Sequence, residues 1–378
     1  RREKMISDRD LKEVRERDFL KNYNHYDDLK NIETKLIFGS HYDEDVFLTI
    51  ILPVYDHPEE FIRRALDSAL MQKCDYKYQI IVIDDYAKEM GQTTTEKYVR
   101  KLNDSRIIYY KNMQNMGVFG NWNRAISLAR SQWVSFLHSD DFLKDNYLQN
   151  MYNIIKNHPE IDQLACNYKK LDFLNGDVDI EKEKHGNGGI KELRKVKYTE
   201  YLYEMKTSVK GSFYKREKLL EIGGFRSQGD GIGLDDYPLM LRFAYYYNTY
   251  LIEDDLYLNS WAHNDSLNTK HWYPELVENY YMWLYFAKKE TKFKRFFYEK
   301  AAKCLLLERA RIYKSGKSWV GVPIDIDYNE LKNDCELKNT SINRFWEAIS
   351  FVMVYLFQKH KNKVDNKENV EIKQFGNL

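Results

Sequence analysis

Short apolar runs and amphipathic segments alternate over residues 47–143. Four runs are almost continuously apolar, which is typical of strands buried on both faces: FLTIILPVY, YQIIVIDDY, RIIYYKN and QWVSFLHSDD. Three segments between them favour helices: HPEEFIRRALDSALMQ, a polar stretch around residues 93–102, and GNWNRAISLAR. In the first of these, Pro58 falls in the first turn beside acidic residues, which favours a helix start. This alternation predicts an α/β fold with a mainly parallel sheet flanked by helices.

The flanking segments have other patterns. Residues 1–45 are highly charged and mostly helix-forming, which predicts a helical extension in front of the main fold. Residues 46–268 hold the alternating segments and the Gly-rich polar stretch NGDVDIEKEKHGNGGI, which predicts a loop. From about Trp272 the spacing is that of amphipathic helices, so residues 269–378 are predicted to form a C-terminal helical region.

Pairs of adjacent aspartates follow two of the predicted strands. Asp84–Asp85 ends the second strand and Asp140–Asp141 follows the fourth, while Asp235–Asp236 falls just before or inside a later helix. Ligands of open parallel sheets bind beyond the carboxyl ends of the strands. Adjacent acids repel, and an unpaired buried charge is costly, so such a pair needs a cation, a hydrogen-bonded ligand or water. The two strand-end pairs therefore predict a binding site at this edge.

Three chemical roles suit these carboxylates. Carboxylates hold hard cations such as Mg²⁺ or Mn²⁺, and such a cation neutralises a departing diphosphate. A separate carboxylate can deprotonate an acceptor hydroxyl as general base. The simpler alternatives are a helix cap for Asp140–Asp141, a turn for Asp84–Asp85 and a first-turn helix charge for Asp236. Because LPVYDHPEEF follows the first strand in place of a Walker-type or GxGxxG loop, kinases, ATPases and dehydrogenases are disfavoured.

Composition narrows the class of protein further. The 378 residues include 59 basic and 58 acidic side chains, a formal net charge of +1, which argues against bulk electrostatic binding of nucleic acid. The four cysteines have no close spacing and suit a reducing compartment better than a disulfide frame or a zinc site. The charged N-terminal stretch lacks the apolar core of a signal peptide. We therefore expect a cytoplasmic protein.

The longest apolar run, Phe351–Phe357, is too short to span a bilayer. Because KHKNK follows it, two interpretations stay open: a buried C-terminal helix, or a helix lying at the inner face of the membrane as a peripheral contact. The charged N-terminal helix has two interpretations as well, a solvated face or a contact in a homo-oligomer.

Five segments together resemble the family 2 glycosyltransferases over roughly residues 47–268. They are TIILPVYDHPEEFIRRALDSALMQ, IIVIDDY, NMGVFGNWNRAISLARSQWVSFLHSDDFL, GGF and LDDYPLMLRFA, which occur in the family's order and at about its spacing. The resemblance implies the Rossmann-like, nucleotide-sugar-binding fold known as GT-A for residues 46–268.

The resemblance also implies the nucleotide site. Pro53 and Tyr55 would line the pocket, with Tyr55 against the base. Asp85 would accept a hydrogen bond from the uracil ring N–H, and Asp84 would support that loop. The loop and helix start that close over the nucleotide and donor sugar match Asn115, Gly117 and Asn123.

Metal and base positions follow from the same resemblance. Asp140 and Asp141 match the metal motif, one meeting the ribose or the metal's water shell and the other the metal itself. Asp236 matches the general base, with Asp235 as the acidic neighbour before it. His263 matches a recurrent histidine near the metal or the diphosphate.

Two positions depart from the family pattern. His138 stands where the family usually has an acid before the metal motif, which leaves two interpretations open: a metal site with fewer carboxylates, or a histidine that only packs. Tyr86 follows the first acidic pair, where a small Gly or Ser is usual, and this alters the loop that contacts the nucleotide.

The activity implied is inverting transfer of a hexose or N-acetylhexosamine from a UDP-sugar to a hydroxyl, assisted by Mn²⁺ or Mg²⁺. Enrichment in Lys, Asn, Tyr and Ile suggests an AT-rich, low-GC bacterial genome, so the expected acceptor is a surface polysaccharide, a lipid-linked sugar or a glycoprotein glycan. Two alternatives remain. A nucleotidyltransferase predicts a basic Gly-rich loop after the first strand, and a nucleotide-sugar-binding module without catalysis predicts loss of the acidic pairs.

Overall fold

The computed structural model describes residues 5–42, 45–85, 92–173, 178–185, 192–202, 205–226, 236–261, 269–317, 322–338, 345–346, 348–350, 352–354 and 356. These residues belong to two compact units. The larger unit contains the described residues from 22 to 261, and the smaller one contains the N-terminal helix and the described residues from 269 onward.

The larger unit is built on one sheet, with ten strands in its described part. The strands are β1 (Thr34–Phe38), β2 (Leu48–Val54), β3 (Tyr78–Asp84), β4 (Ile107–Asn112), β5 (Trp133–Phe136), β6 (Phe142–Leu143), β7 (Gln163–Asp172), β8 (Leu193–Val196), β9 (Ser212–Lys215) and β10 (Thr249–Trp261). Their order is β1-β4-β3-β2-β5-β9-β7-β10-β6, and β8 pairs with β10.

The strand directions bring the candidate residues to one edge. Strands β4, β3, β2 and β5 are parallel, and β9 is antiparallel to both β5 and β7. Strand β10 is parallel to β7. The carboxyl ends of β2, β3, β5, β7 and β10 therefore share one edge, where the segment before β9 also lies. The predicted α/β fold with a mainly parallel sheet is confirmed.

Helices flank the sheet and complete the smaller unit. Those of the larger unit are α2 (Glu59–Leu70), α3 (Thr94–Leu102), α4 (Gly117–Leu128), α5 (Tyr147–Asn157), α6 (Ile180–Lys184), α7 (Arg216–Glu221) and α8 (Asp236–Tyr246). Those of the smaller unit are α1 (Asp8–Glu16), α9 (Trp272–Lys288), α10 (Lys292–Lys314) and α11 (Tyr328–Asp334). Helix α2 begins directly after Pro58, and Glu59 and Glu60 in its first turn complement the helix dipole.

The N-terminal extension differs from its prediction. Residues 1–45 were expected to be helical, but α1 is the α-helix of their described part and Thr34–Phe38 is a strand paired with β4. The physical reason is that an edge strand gains its stability from the backbone of its neighbour, which charge content does not reveal. Strand β5 also ends at Phe136, earlier than predicted, so the second acidic pair lies in a turn before β6.

No helix among the described residues is long and apolar enough to cross a membrane. Within the smaller unit, Arg15 Nε donates to Tyr281 Oη at 3.0 Å and Tyr273 Oη donates to Asp334 Oδ2 at 2.7 Å. These bonds tie α1 to α9 through Tyr281, and α9 to α11 through Tyr273 and Asp334.

Candidate functional site

Asp84, the last residue of β3, is an internal carboxylate with 1% of its surface exposed. Its Oδ2 accepts hydrogen bonds from Thr93 Oγ1, at 2.9 Å, and from Tyr109 Oη. Thr93 caps the start of α3, and Tyr109 belongs to β4. Asp84 therefore fastens β3 to two neighbouring elements and holds the strand end in place.

Asp85 connects the end of β3 to the loop before α4. Its backbone N–H donates to the Val54 carbonyl at 3.0 Å. Its side chain accepts from Asn112 Nδ2 at 2.9 Å and from the Met116 N–H, which lies 3.0 Å from both carboxylate oxygens. Burial raises the pKa of Asp85 to about 6, although these hydrogen bonds oppose the shift.

The raised pKa of Asp85 predicts a pH-dependent stability. Below the ordinary pKa of 3.8, Asp85 is protonated in both the folded and the unfolded protein. Its contribution to the free energy of unfolding is therefore fully present there, and it is lost as pH rises through about 6. Between about pH 4 and about pH 8, the free energy of unfolding of wild type should fall by about 2 kcal/mol more than that of Asp85→Asn. Urea unfolding of both proteins across this range measures the difference. Parallel pH profiles would contradict the assignment.

The start of α4 has the geometry of a tight turn. Asn115 Oδ1 accepts from the Gly117 N–H at 2.7 Å, and Gly117 has φ +69°, a conformation that glycine adopts without strain. Further along the helix, Asn123 is fully buried. Its Nδ2 donates to the Phe225 carbonyl at 2.6 Å and its Oδ1 accepts from the Phe225 N–H at 2.9 Å. Asn123 thus holds the GGF segment against α4, and nucleotide contact by this residue stays a prediction.

The segment after β2, which begins with Tyr55, is connected to the turn that carries the second acidic pair. Tyr55 follows β2 directly and is 37% exposed, while Pro53 is half-buried within β2. The Tyr55 N–H donates to His57 Nδ1 at 3.3 Å. His57 Nδ1 is also hydrogen-bonded to Ser139 Oγ, at 3.0 Å. Because Ser139 precedes the second acidic pair, the segment after β2 is joined to the turn after β5.

Asp141 is the more deeply buried carboxylate of the second pair, with no exposed surface. Its Oδ1 accepts from Asn259 Nδ2 and the Ser260 N–H, both at 2.8 Å. Its Oδ2 accepts from Tyr257 Oη at 2.9 Å and lies 3.3 Å from Lys210 Nζ. Asp141 therefore ties the turn after β5 to the end of β10.

Asp140 is half-buried and faces a different cation. The Arg64 guanidinium of α2 lies 5.0 Å from the ring centroids of both Phe61 and Phe173. Burial lowers the pKa of Arg64, while the Glu60 and Asp140 carboxylates act in the opposite direction. Asp140 therefore interacts electrostatically with Arg64, and Asp141 forms an ion pair with Lys210.

His138 completes a group that could hold a divalent cation. Its ring packs 5.2 Å from that of Trp122, and its Nδ1 lies 3.9 Å from Asp141 Oδ2. Burial and the Lys210 ammonium lower the pKa of His138 to about 3, so the imidazole is neutral at physiological pH. His138, Asp140 and Asp141 each offer a ligand atom, all within 4.8 Å of one another. Neutral imidazole and carboxylate oxygen are ligands that Mn²⁺ accepts.

The third acidic pair is described in part. Asp236 is the first residue of α8, and its Oδ1 accepts from the Tyr237 N–H at 2.8 Å. Burial raises the pKa of Tyr214 in β9, and the Asp236 carboxylate adds to this shift. Asp235, His263 and Tyr86 lie outside the described residues.

Several site residues were not predicted from the sequence. Tyr257 and Asn259 fall on the same face of β10, and this alternation of side chains at a strand end could have identified them. Asn112, at the end of β4, follows the same rule as the acidic pairs. Lys210 precedes Gly211 and β9 and has no comparable sequence signal.

Residues 49–207 match the family model described as Glycosyl transferase family 2. These residues form a family 2 glycosyltransferase domain. The matched residues include strands β3 to β8, most of β2, and the acidic pairs Asp84–Asp85 and Asp140–Asp141.

Relatives of this family 2 domain include three bacterial and archaeal proteins. Glycosyltransferase MJ1057 of Methanocaldococcus jannaschii is 26% identical over 156 residues, which are 41% of this chain and 52% of that protein. The putative glycosyltransferase EpsH of Bacillus subtilis is 27% identical over 121 residues, 32% of this chain and 33% of that protein. The Escherichia coli UDP-Glc:alpha-D-GlcNAc-diphosphoundecaprenol beta-1,3-glucosyltransferase WfaP is 29% identical over 128 residues, 34% of this chain and 48% of that protein. The chain therefore spans about half the length of these relatives, or less.

Proposed function

We propose that the chain is an inverting glycosyltransferase that moves a hexose or N-acetylhexosamine from a UDP-sugar to an acceptor hydroxyl. The acceptor would be a glycan, a lipid-linked sugar or a glycoprotein of bacterial surface glycan biosynthesis. The main support is a connected series of contacts at one sheet edge. Asp85 donates to Val54, the next residue Tyr55 donates to His57, and His57 is hydrogen-bonded to Ser139 beside Asp140. A UDP donor and a lipid-linked acceptor are named for the E. coli relative.

The uridine would bind between β2 and β3. Tyr55 offers a partly exposed ring at the end of β2, and Asp85 lies beside it at the end of β3. Because the pKa of Asp85 is about 6, its carboxylate is mainly ionised at neutral pH and can accept a hydrogen bond from the uracil N–H. Asp84 fixes the strand end without meeting the ligand.

A divalent cation, Mn²⁺ or Mg²⁺, would be held by Asp140 and His138, with Asp141 orienting the turn that carries them. When bound, such a cation stabilises the negative charge of a departing diphosphate. Asp140 is the half-buried acid of the pair, so its oxygens are the ones accessible from the sheet edge.

Asp236 would act as the general base. The acceptor oxygen forms a bond to the anomeric carbon while the proton of the acceptor hydroxyl passes to Asp236. On the opposite face, the bond from the anomeric carbon to UDP breaks. This single displacement inverts the configuration. The position of Asp236 at the N-terminus of α8 stabilises the carboxylate that must receive the proton.

A lipid-linked acceptor would bring the protein to the inner face of the membrane from the cytoplasm. The described positions of the Phe351–Phe357 stretch are helical, with Val354 buried and Val352 57% exposed. A peripheral contact of this stretch with the membrane is part of the proposal, as is a cytoplasmic location.

A panel of UDP-sugars tests the proposed function. We expect at least one of them to release UDP in the presence of Mn²⁺, by slow hydrolysis without acceptor and faster with surface-glycan acceptors. Matched reactions with GDP-mannose and with EDTA serve as controls. Binding of UDP without turnover of any sugar would favour a binding module, and absence of binding to every nucleotide sugar would contradict the proposal.

A further inference from the structure

Both carboxylate oxygens of Asp141 have partners within the chain. A carboxylate has about four lone-pair positions, two on each oxygen. Asn259 Nδ2 and the Ser260 N–H donate to Oδ1, and Tyr257 Oη donates to Oδ2, which also forms an ion pair with Lys210 Nζ at 3.3 Å. A cation that coordinated Asp141 Oδ2 directly would compete with the Lys210 ammonium beside it. The positive partner that this buried acid requires is therefore supplied by the chain itself.

Lys210 is the member of this group that reaches toward solvent. Its side chain is 20% exposed, whereas Asp141 is fully buried. It lies just before β9, and Phe136 of β5 pairs with it in an isolated bridge. Since β9 is antiparallel to β5, this position is at the edge that also carries Asp85 and Asp140.

An ammonium group has three N–H donors, and that of Lys210 lies 3.3 Å from Asp141 Oδ2 as an ion pair. These donors are near the turn that holds Asp140 and His138. Because the carboxylates of Asp85 and Asp140 at this edge repel an anionic ligand, a fixed cation at this point lowers the electrostatic cost of bringing a diphosphate there.

We propose that Lys210 is a diphosphate-binding residue of the donor site, anchored by Asp141 and donating to a phosphate oxygen of the nucleotide. The inference rests on the proposed function, since it assigns a contact within the same site. It carries a specific consequence: UDP binds without a divalent cation, and Lys210 accounts for much of that affinity.

The test is UDP affinity, measured by titration calorimetry in EDTA, for wild type, Lys210→Met and Lys210→Arg. A charge-assisted hydrogen bond predicts that Lys210→Met weakens UDP binding by about tenfold or more. Lys210→Arg should keep the affinity within about threefold, because the charge is retained. Uridine, which lacks the diphosphate, should bind all three proteins equally well.

Lys215 provides a matched control. Its side chain is 19% exposed and pairs with Asp162 at 2.9 Å, at the opposite edge of the sheet, where β7 begins. Lys215→Met should leave UDP affinity within about twofold of wild type. An equal loss in both lysine variants, or a parallel loss of uridine binding by Lys210→Met, would overturn the proposal because either result indicates a general structural effect.

Removal of Lys210 alone leaves Asp141 as a buried unpaired charge, which can unfold the protein. Thermal unfolding shows whether the single variant is folded. If it is not, the double variant Asp141→Asn/Lys210→Met replaces it, because this variant lacks both charges. The same loss of UDP affinity is expected. If folded Lys210→Met binds UDP with the affinity of wild type, the role of Lys210 is refuted but the proposed function is not. If wild type binds no UDP in either EDTA or Mn²⁺, the proposed function is refuted.

Discussion

Asp236→Asn is expected to lower kcat for sugar transfer by about 10²- to 10⁴-fold, the range for loss of a general base. The dissociation constant for UDP should change by less than about twofold, because the base meets the acceptor hydroxyl and not the nucleotide. Single-turnover transfer and UDP titration measure the two quantities separately. The amide keeps the size of the carboxyl group and the hydrogen bond from the Tyr237 N–H, so the fold should be preserved.

Asp8→Asn controls for the helix position of Asp236. Asp8 is the first residue of α1, as Asp236 is of α8, so both substitutions remove a first-turn acid. Asp8→Asn should leave kcat within about twofold of wild type. Unchanged kcat in Asp236→Asn would exclude the base role, and loss of UDP binding would move Asp236 into the nucleotide site.

Asp140→Asn is expected to weaken binding of Mn²⁺ and to lower kcat by about 10²- to 10³-fold, because a bound cation contributes several kcal/mol to a developing diphosphate charge. Electron paramagnetic resonance of free Mn²⁺, recorded with UDP present, measures binding independently of turnover. Asp145→Asn is the control, since Asp145 is an exposed acid close in sequence that pairs with His185. Undiminished Mn²⁺ binding by Asp140→Asn would contradict the assignment.

The core strands could be predicted because the sequence carries their burial directly. Strands β2, β3, β4 and β5 are buried almost throughout, and each appears as an apolar run. Strand β1 could not be predicted in this way, since its burial is partial and pairing with β4 creates it. The two-residue β6 depends likewise on β10. Elements that depend on a distant partner leave little local signal.

The placement of the acidic pairs at one sheet edge followed from strand ends, but their environments did not. Asp140 and Asp141 are adjacent, yet one is half-buried and the other is enclosed by donors from β10 and by Lys210. The two residues lie in a turn, where the period of two that orders a strand no longer applies. Sequence spacing therefore predicted a pair, and the three-dimensional contacts distinguish its members.

His138 shows the same limit. The family resemblance expects an acid there, and the sequence alone offers no reason for an imidazole. In the structure its ring packs beside Trp122, and its backbone N–H donates to Tyr257 Oη at 3.0 Å. Burial beside Lys210 lowers the pKa of His138 and keeps the ring neutral. A neutral imidazole at this position avoids a third negative charge in a cluster that already contains Asp140 and Asp141.

The most direct measurement is a crystal structure of the protein with UDP and Mn²⁺. We predict uracil beside Tyr55 with its ring N–H within hydrogen-bond distance of Asp85, and Mn²⁺ bound by Asp140 next to the diphosphate. Density for UDP away from the carboxyl edge of β2, β3 and β5, or Mn²⁺ bound without Asp140, would contradict the proposed site.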